Sequence, residues 1–262
     1  MIILETKAIN TFYGLSHILH DVSLKVKENQ VVSLLGRNGA GKTTVIRSIM
    51  GLTPPRSGTI LFKGETISGL KSSQIFIKGI KIIPQGRGIF PSLSVEENLR
   101  LAMVKAGIEN PQAELKKVYD LFPFLAEKRR QKGQYLSGGQ LQMLAISRVL
   151  LGTTSLILMD EPTEGLAPLI VQQVGEVIRE IKKGGCPLVL AEQNLKMAME
   201  LGDWHYIIDN GIIKYQGTSE EIRNNEELKN TYLGVGREYK KGDGSAKRAG
   251  PENGREDRHG SS

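Results

Sequence analysis

The feature that most constrains the fold is a glycine-rich turn between an apolar run and a helical pattern. Residues 31–35 read Val-Val-Ser-Leu-Leu, which is typical of a strand buried on both faces. A helical pattern follows from about Lys42 to Met50. The turn between them fits the spacing GxxxxGK[ST] and consists of Gly36, Arg37, Asn38, Gly39, Ala40, Gly41, Lys42 and Thr43. Strand, turn and helix in this order predict an α/β fold.

The chemistry of this turn predicts a phosphate-binding loop. Its glycines let successive backbone N–H groups point at one anion, and the start of the helix adds partial positive charge there. Lys42 would reach the β and γ phosphates, and the Thr43 hydroxyl would bind Mg²⁺. A turn with no ligand would not require Lys-Thr directly after the last glycine. We therefore predict that ATP and Mg²⁺ bind here, and we include Thr44 in the nucleotide site.

The rest of the chain predicts a P-loop NTPase core of the RecA-like type with two additions. Buried strands are expected at 156–159 and 187–191, with a helix between them, which gives a parallel sheet. Asn210-Gly211 between two apolar runs predicts a hairpin. Residues 1–30 predict an antiparallel β subdomain, and about 88–152 predict an inserted helical subdomain. We expect one ATPase domain over 1–236 and a disordered tail over 237–262, because residues 240–262 are rich in glycine, serine and charged residues and have no apolar residue beyond alanine.

Composition excludes several other classes of protein. The chain has 262 residues, 39% of them hydrophobic, and a single cysteine, which leaves no intrachain disulfide and no all-Cys metal site. No apolar stretch is long enough to span a bilayer, and the first residues do not resemble a signal peptide. The net charge of +7 is spread among acidic residues without interleaved aromatics, so we expect no nucleic-acid partner. A soluble protein in a reducing compartment is predicted.

A pair of acids closes the second buried strand. Leu156-Ile157-Leu158-Met159 is followed directly by Asp160 and Glu161. In P-loop proteins this position faces the phosphate loop, so Asp160 is expected to hold Mg²⁺ through water. Glu161 is expected to act as the general base on the attacking water, which points to hydrolysis and not to transfer to a second substrate.

A second glycine-rich segment indicates which class of P-loop NTPase the chain resembles. Leu136, Ser137, Gly138, Gly139 and Gln140 stand at the start of a predicted helix and upstream of the Asp-Glu strand. A Ser hydroxyl and glycine N–H groups at a helix N-terminus form an anion site. The segment resembles the LSGGQ signature of ABC-type ATPases. In that family the signature faces the γ phosphate held by a partner subunit, so the resemblance implies that two chains enclose two ATP molecules.

Other positions are similar to the same family, over about residues 2–235. Gln85, after Ile82-Ile83-Pro84, resembles the Q-loop glutamine, and the resemblance implies contact with Mg²⁺ and a link to the membrane partner. Tyr13 resembles the aromatic residue that stacks on adenine, with simple packing at a strand end as the alternative. The implied partners are a second ABC ATPase subunit, two membrane permeases and an external solute-binding protein. The implied location is peripheral, on the cytoplasmic face of the cell membrane.

Two positions depart from the broad family pattern. Gln193 stands where most members carry a histidine, and Ala167 stands where most carry the D-loop aspartate. A glutamine can donate a hydrogen bond to the γ phosphate but cannot take up a proton, so Gln193 is expected to contact phosphate while Glu161 serves as base. These segments, with Pro84–Pro91 and Ser94–Leu99, resemble ATP-binding subunits of branched-chain amino-acid importers (the LivF type).

The function that the sequence predicts is an ATP-hydrolysing, energy-coupling subunit of an ABC importer, with branched-chain amino acids as the expected cargo. A urea or other small-solute importer remains open, because its subunit shares much of this pattern. A non-transport ABC ATPase is the further alternative, although such proteins usually carry two cassettes or a long coiled-coil insertion. A partner that binds nucleotide without hydrolysing it is the last alternative: Glu161 argues against it, whereas Gln193 and Ala167 leave it open.

Overall fold

Two β-sheets organise the computed structural model, which describes residues 1–228 apart from the side chains of residues 105 and 106. The predicted tail over 237–262 and the last residues of the predicted 1–236 domain lie outside the described residues. The strands are β1 (Ile2–Tyr13), β2 (Ser16–Lys27), β3 (Val31–Leu35), β4 (Ser57–Phe62), β5 (Glu65–Thr66), β6 (Ile80–Ile83), β7 (Leu156–Asp160), β8 (Leu188–Glu192), β9 (Trp204–Asp209) and β10 (Ile212–Gly217). The helices are α1 (Lys42–Ile49), α2 (Ser72–Ile77), α3 (Val95–Ala106), α4 (Pro111–Leu121), α5 (Pro123–Glu127), α6 (Gly138–Leu150), α7 (Pro168–Lys183), α8 (Leu195–Leu201), α9 (Ser219–Arg223) and α10 (Glu226–Leu228).

The larger sheet carries the predicted core and has the strand order β10-β9-β3-β8-β7-β6. Strands β6, β7, β8, β3 and β9 are parallel, and β10 closes the edge as an antiparallel hairpin with β9. Every residue of β3, β7 and β8 is buried, as expected for strands covered on both faces. The carboxyl ends of β3, β7 and β8 therefore lie next to one another at one edge of the sheet.

The smaller sheet is antiparallel and has the order β2-β1-β4-β5. Its long β1–β2 hairpin matches the antiparallel pair predicted for residues 1–30. Residues of this sheet and of one face of the larger sheet share one hydrophobic core, in which Leu4, Val26 and Phe62 pack with Leu34 and Leu158. This core fixes the smaller sheet against α1 and the phosphate loop.

The segment 88–152, every residue of which is described, contains helices α3 to α6 and no β-strand. Ser94 caps α3 and exchanges hydrogen bonds with Glu97, as its capping-box sequence predicts. The helices share a second core with the opposite face of the larger sheet, where Leu99 and Leu144 pack with Ile157. The helical segment therefore rests on the sheet that carries the phosphate loop.

Sequence reasoning missed several short elements. Strands β4, β5 and β6 and helix α2 were not predicted. Within residues 1–228 no helix is long and apolar enough to cross a membrane.

Candidate nucleotide-binding site

The glycine-rich turn runs from the end of β3 to the first residue of α1, as predicted. Gly39 and Gly41 have φ angles of 79° and 113°, a backbone conformation that side chains disfavour. No side chain caps the N-terminus of α1. The first N–H groups of the helix therefore remain available to an anion, as a phosphate loop requires.

The tip of the β9–β10 hairpin is hydrogen bonded to the glycine-rich loop. The Gly211 N–H donates a hydrogen bond of 2.9 Å to the Ala40 carbonyl, and the Gly211 carbonyl accepts one of 2.9 Å from the His20 N–H. A Cβ at Gly211 would overlap the Ile18 carbonyl oxygen, and one at Gly36 would overlap the Ile208 carbonyl oxygen. Because both residues are glycines, the backbone at each position can contact a neighbouring carbonyl oxygen directly, which brings the β9–β10 hairpin close to the loop.

Lys42 lies inside the loop with its ammonium group surrounded by oxygen atoms. Its Nζ donates to the Gly36 carbonyl at 2.9 Å and to the Arg37 carbonyl at 3.0 Å. The same atom lies 2.9 Å from Glu161 Oε1. The lysine side chain is 3% exposed and the glutamate side chain 10% exposed, so water screens this pair little.

Asp160 ends β7 beside the first turn of α1. Thr43 Oγ1 donates to Asp160 Oδ1 at 3.0 Å. Burial raises the pKa of the Asp160 carboxyl, whereas hydrogen bonds from Thr43 and from the Gln85 backbone and the charge of Lys42 act in the opposite direction. A hydroxyl and a carboxylate side by side are the oxygen ligands that Mg²⁺ prefers, so Thr43 and Asp160 fit the predicted metal site. No group of three or more His, Cys, Asp or Glu residues that could bind a metal occurs within residues 1–228.

Gln85 reaches this site through its backbone and not through its side chain. Its N–H lies against Asp160, while its side-chain amide donates to Glu164 at 2.8 Å. In this conformation the Gln85 side chain, which is predicted to contact the metal, is hydrogen bonded to Glu164. Tyr13, the predicted adenine-stacking residue, ends β1 and is 44% exposed, which leaves a ring face accessible.

The segment that resembles a signature lies at the N-terminus of α6. Ser137 is the N-cap residue of α6 and forms a capping box with Gln140. The Ser137 hydroxyl accepts a hydrogen bond from the Gln140 N–H, and the Gln140 side chain accepts one from the Ser137 N–H. A Cβ at Gly139 would approach the Ile170 side chain of α7 to 2.7 Å, so a larger residue there would require Ile170 to move. Ser137 and Gly138 are exposed, and this helix end is accessible to a ligand from outside the chain.

The structure adds one residue to the site that sequence reasoning did not single out. Glu192 ends β8, is 2% exposed and accepts hydrogen bonds from both Thr163 and the backbone of Gln193 and Asn194. Burial raises the pKa of the Glu192 carboxyl, and these hydrogen bonds partly oppose the shift. Its position as an acid at the end of a buried strand is the same signal that marked Asp160.

A cleft of about 910 Å³ extends from this edge of the sheet between α7 and α8. Glu161, Thr163, Glu192 and Gln193 line its end nearest the phosphate loop, while Val171 and Met197 lie along its length. Gln193 is exposed. The structure thus brings together Lys42, Thr43, Asp160 and Glu161 by direct contacts, and it places Gln193 beside Glu161 along one cleft.

Comparisons with known proteins agree with this geometry. The family model described as ABC transporter matches residues 19–164. The chain is 41% identical to the high-affinity branched-chain amino acid transport ATP-binding protein BraG of Pseudomonas aeruginosa, with 86% of this chain and 97% of BraG covered. It is 32% identical to the probable branched-chain amino acid transport ATP-binding protein LivF of Archaeoglobus fulgidus, with 88% and 99% covered. A crystal structure of the ADP conformation of an ABC transporter's ATP-binding cassette matches with a TM-score of 0.75 and 28% identity, over 86% of this chain and 94% of that one.

Proposed function

This chain belongs to the ABC transporter family of ATP-binding proteins, and we propose that it powers the uptake of branched-chain amino acids by hydrolysing ATP. It is an ATPase of the cassette type, and the predictions of the family, of the P-loop α/β fold and of ATP hydrolysis are confirmed. The proposal for the cargo is supported by BraG and LivF, whose names both specify branched-chain amino acid transport.

Each residue at the carboxyl edge of the larger sheet has a separate role in the proposed hydrolysis of ATP. Lys42 and the N–H groups of residues 36–44 bind the phosphates of ATP, and Tyr13 stacks on the adenine. Mg²⁺, held by Thr43, Asp160 and Gln85, would neutralise phosphate charge when bound. Glu161 positions and deprotonates the attacking water, and Gln193 donates a hydrogen bond to the γ phosphate.

The exposed signature segment supports a second part of the proposal, which concerns partners. Ser137, Gly138, Gly139 and Gln140 bind the γ phosphate of a nucleotide held by a second ABC ATPase subunit. Two permease subunits and an external solute-binding protein complete the importer, with this chain on the cytoplasmic face of the membrane. ATP binding closes the pair of ATPase subunits and hydrolysis reopens it, so the work comes from the difference in contacts between these two states.

The observation that carries the proposal is a pair of contacts between the start of α1 and the end of β7: Lys42 with Glu161 at 2.9 Å, and Thr43 with Asp160 at 3.0 Å. The test is uptake of labelled leucine and labelled urea by cells lacking the gene, complemented with wild type or Glu161→Gln. We expect loss of leucine uptake that only wild type restores. Loss of urea uptake alone, or no change in either, would overturn the assignment of cargo. ATP hydrolysis at the wild-type rate by purified Glu161→Gln protein would remove Glu161 from the role of base.

A further inference from the structure

Glu192 links the two loops that carry the proposed catalytic groups. Its Oε1 accepts hydrogen bonds from the Thr163 hydroxyl at 2.6 Å and from the Thr163 N–H at 3.2 Å. Its Oε2 accepts from the Gln193 N–H and the Asn194 N–H, both at 3.1 Å. One oxygen thus binds the loop after β7 and the other binds the loop after β8.

The loop after β7 needs such support because its first residue is held in an unfavourable conformation. Glu161 has a φ angle of 48°, in the left-handed region that residues other than glycine rarely adopt. Its N–H donates to the Ala191 carbonyl at 2.9 Å, and the turn closes with a hydrogen bond of 3.2 Å from the Glu164 N–H to the Glu161 carbonyl. Thr163, within this turn, is 7% exposed and bonded to Glu192. Contacts with the end of β8 therefore maintain the conformation that aims Glu161 at Lys42.

We propose that Glu192 is a positioning residue for ATP hydrolysis, which holds Glu161 and Gln193 in fixed register across the neighbouring strands β7 and β8. This inference rests on the proposed function, in which Glu161 acts on water and Gln193 contacts the γ phosphate. Glu192 touches neither ATP nor water in this role. It acts by fixing two backbone segments, one carrying the group that acts on water and the other the group that contacts the γ phosphate. A displacement of about 1 Å at such a site lowers rates on the order of a hundredfold.

The chemistry of the contacts requires a carboxylate. All four hydrogen atoms point towards Glu192, three of them from backbone N–H groups that can only donate. A glutamine of the same shape would turn an N–H₂ group towards at least one of these backbone donors. The bond to one loop would then be lost while the volume of the side chain stayed the same.

The test compares steady-state ATP hydrolysis by Glu192→Gln with that by a matched control, Glu176→Gln, in the complete transporter. Glu176 lines the same cleft, is exposed and undergoes the same chemical change. We expect Glu192→Gln to lower kcat on the order of ten- to a hundredfold with KM for ATP within about twofold of wild type, because the phosphate loop is untouched. We expect Glu176→Gln to leave both constants unchanged. An unchanged kcat, or a rise in KM equal to the loss of kcat/KM, would overturn the proposal.

A second variant keeps the proposal testable if Glu192→Gln does not fold. Thr163→Val removes the shortest bond to Glu192 and keeps the volume, whereas Thr163→Ser retains the hydroxyl. We expect a smaller loss of kcat in Thr163→Val that Thr163→Ser restores, and wild-type kcat in folded Thr163→Val would refute the link between the loops. Glu161→Gln, measured in parallel, tests the proposed base itself. Hydrolysis of ATP by Glu161→Gln at the wild-type rate would contradict the proposed function. A wild-type kcat in Glu192→Gln would contradict only the positioning role of Glu192.

Discussion

Lys42 Nζ lies 2.9 Å from Glu161 Oε1, so the lysine proposed to bind phosphate is paired with the residue proposed as general base. Both side chains are largely buried, and the ammonium group also donates to two carbonyls of the loop. A phosphate that reaches Lys42 must compete with the Glu161 carboxylate, and the two negative charges repel each other. The carboxylate proposed to act in hydrolysis is therefore expected to oppose the binding of ATP.

This competition predicts that Glu161→Gln binds ATP more tightly than wild type. The neutral amide removes the repulsion, and we expect the Kd for ATP to fall by about three- to tenfold, which corresponds to about 1 kcal/mol. Titration of each purified protein with ATP, under conditions that prevent turnover, measures the change. Glu176→Gln, an exposed residue away from Lys42, should bind with wild-type affinity. Weaker binding by Glu161→Gln would show that the ion pair does not compete with phosphate.

The contact between Thr43 and Asp160 predicts a defect that depends on magnesium. Thr43 Oγ1 lies 3.0 Å from Asp160 Oδ1, and its hydroxyl is the proposed metal ligand. We expect Thr43→Val to raise the Mg²⁺ concentration needed for half-maximal hydrolysis on the order of tenfold, because an oxygen ligand becomes a methyl group. Thr43→Ser keeps the hydroxyl and should behave like wild type. Equal magnesium dependence in the valine and serine variants would exclude the hydroxyl from the metal site.

The approach of the β9–β10 hairpin predicts that Gly211 is required for nucleotide binding. A methyl group there would overlap the Ile18 carbonyl oxygen and push the hairpin away from Ala40, to which it donates a hydrogen bond. We expect Gly211→Ala to lose more than about 3 kcal/mol of unfolding free energy, or to fold with ATP affinity reduced on the order of tenfold.

The matched control for that variant is Gly64→Ala. Gly64 has a similar φ angle of 81°, against 72° at Gly211, but no atom lies within 4 Å of its Cβ position. Its substitution therefore carries only the backbone strain of about 1 kcal/mol and should leave ATP affinity unchanged. Equal effects at the two positions, measured by chemical unfolding and by nucleotide titration, would show that contact with Ile18 does not matter.

Strong local patterns allowed much of the core to be predicted. The buried run at 31–35, the glycine turn after it and the Asn210-Gly211 hairpin all lie where the sequence placed them, because each depends on neighbouring residues alone. Strand β4 escaped prediction because it pairs with β1, more than forty residues earlier in the chain, and β5 escaped it because its two residues are exposed and pair with β4. Residues 57–59 of β4 are exposed or partly exposed, which leaves no apolar run for a sequence pattern to detect.

The candidate site divides in the same way. The positions of the glycine-rich turn and of the pair Asp160-Glu161 could be predicted, since each is marked by a short stretch of sequence. The contact between Glu192 and Thr163 could not, because Thr163 is brought to Glu192 only when β7 and β8 pair in parallel. Nor could sequence show that the Gln85 side chain binds Glu164, which depends on the positions of two loops that no local pattern fixes.

A buried histidine predicts that the stability of the fold depends on pH. His205 is fully buried on β9, and its Nε2 lies 2.7 Å from the Ser219 hydroxyl, which in turn donates to the Met199 carbonyl. Burial lowers the pKa of His205 to about 4, the nearby Arg223 adds to this shift, and Asp203 partly opposes it. Because a histidine in the unfolded chain has a pKa of about 6.5, the unfolded state binds more protons below that pH.

The contribution of His205 is therefore complete above about pH 6.5 and is lost as the pH falls towards 4, by about 2 to 3 kcal/mol in total. Other groups titrate in the same range, so the measurement is the difference in unfolding free energy between wild type and His205→Gln, from urea unfolding at pH 7.5 and pH 4.5. We expect that difference to shift against wild type by about 2 kcal/mol on acidification, because only wild type must protonate a buried imidazole. Parallel pH profiles for wild type and His205→Gln would mean that His205 titrates normally in the folded protein.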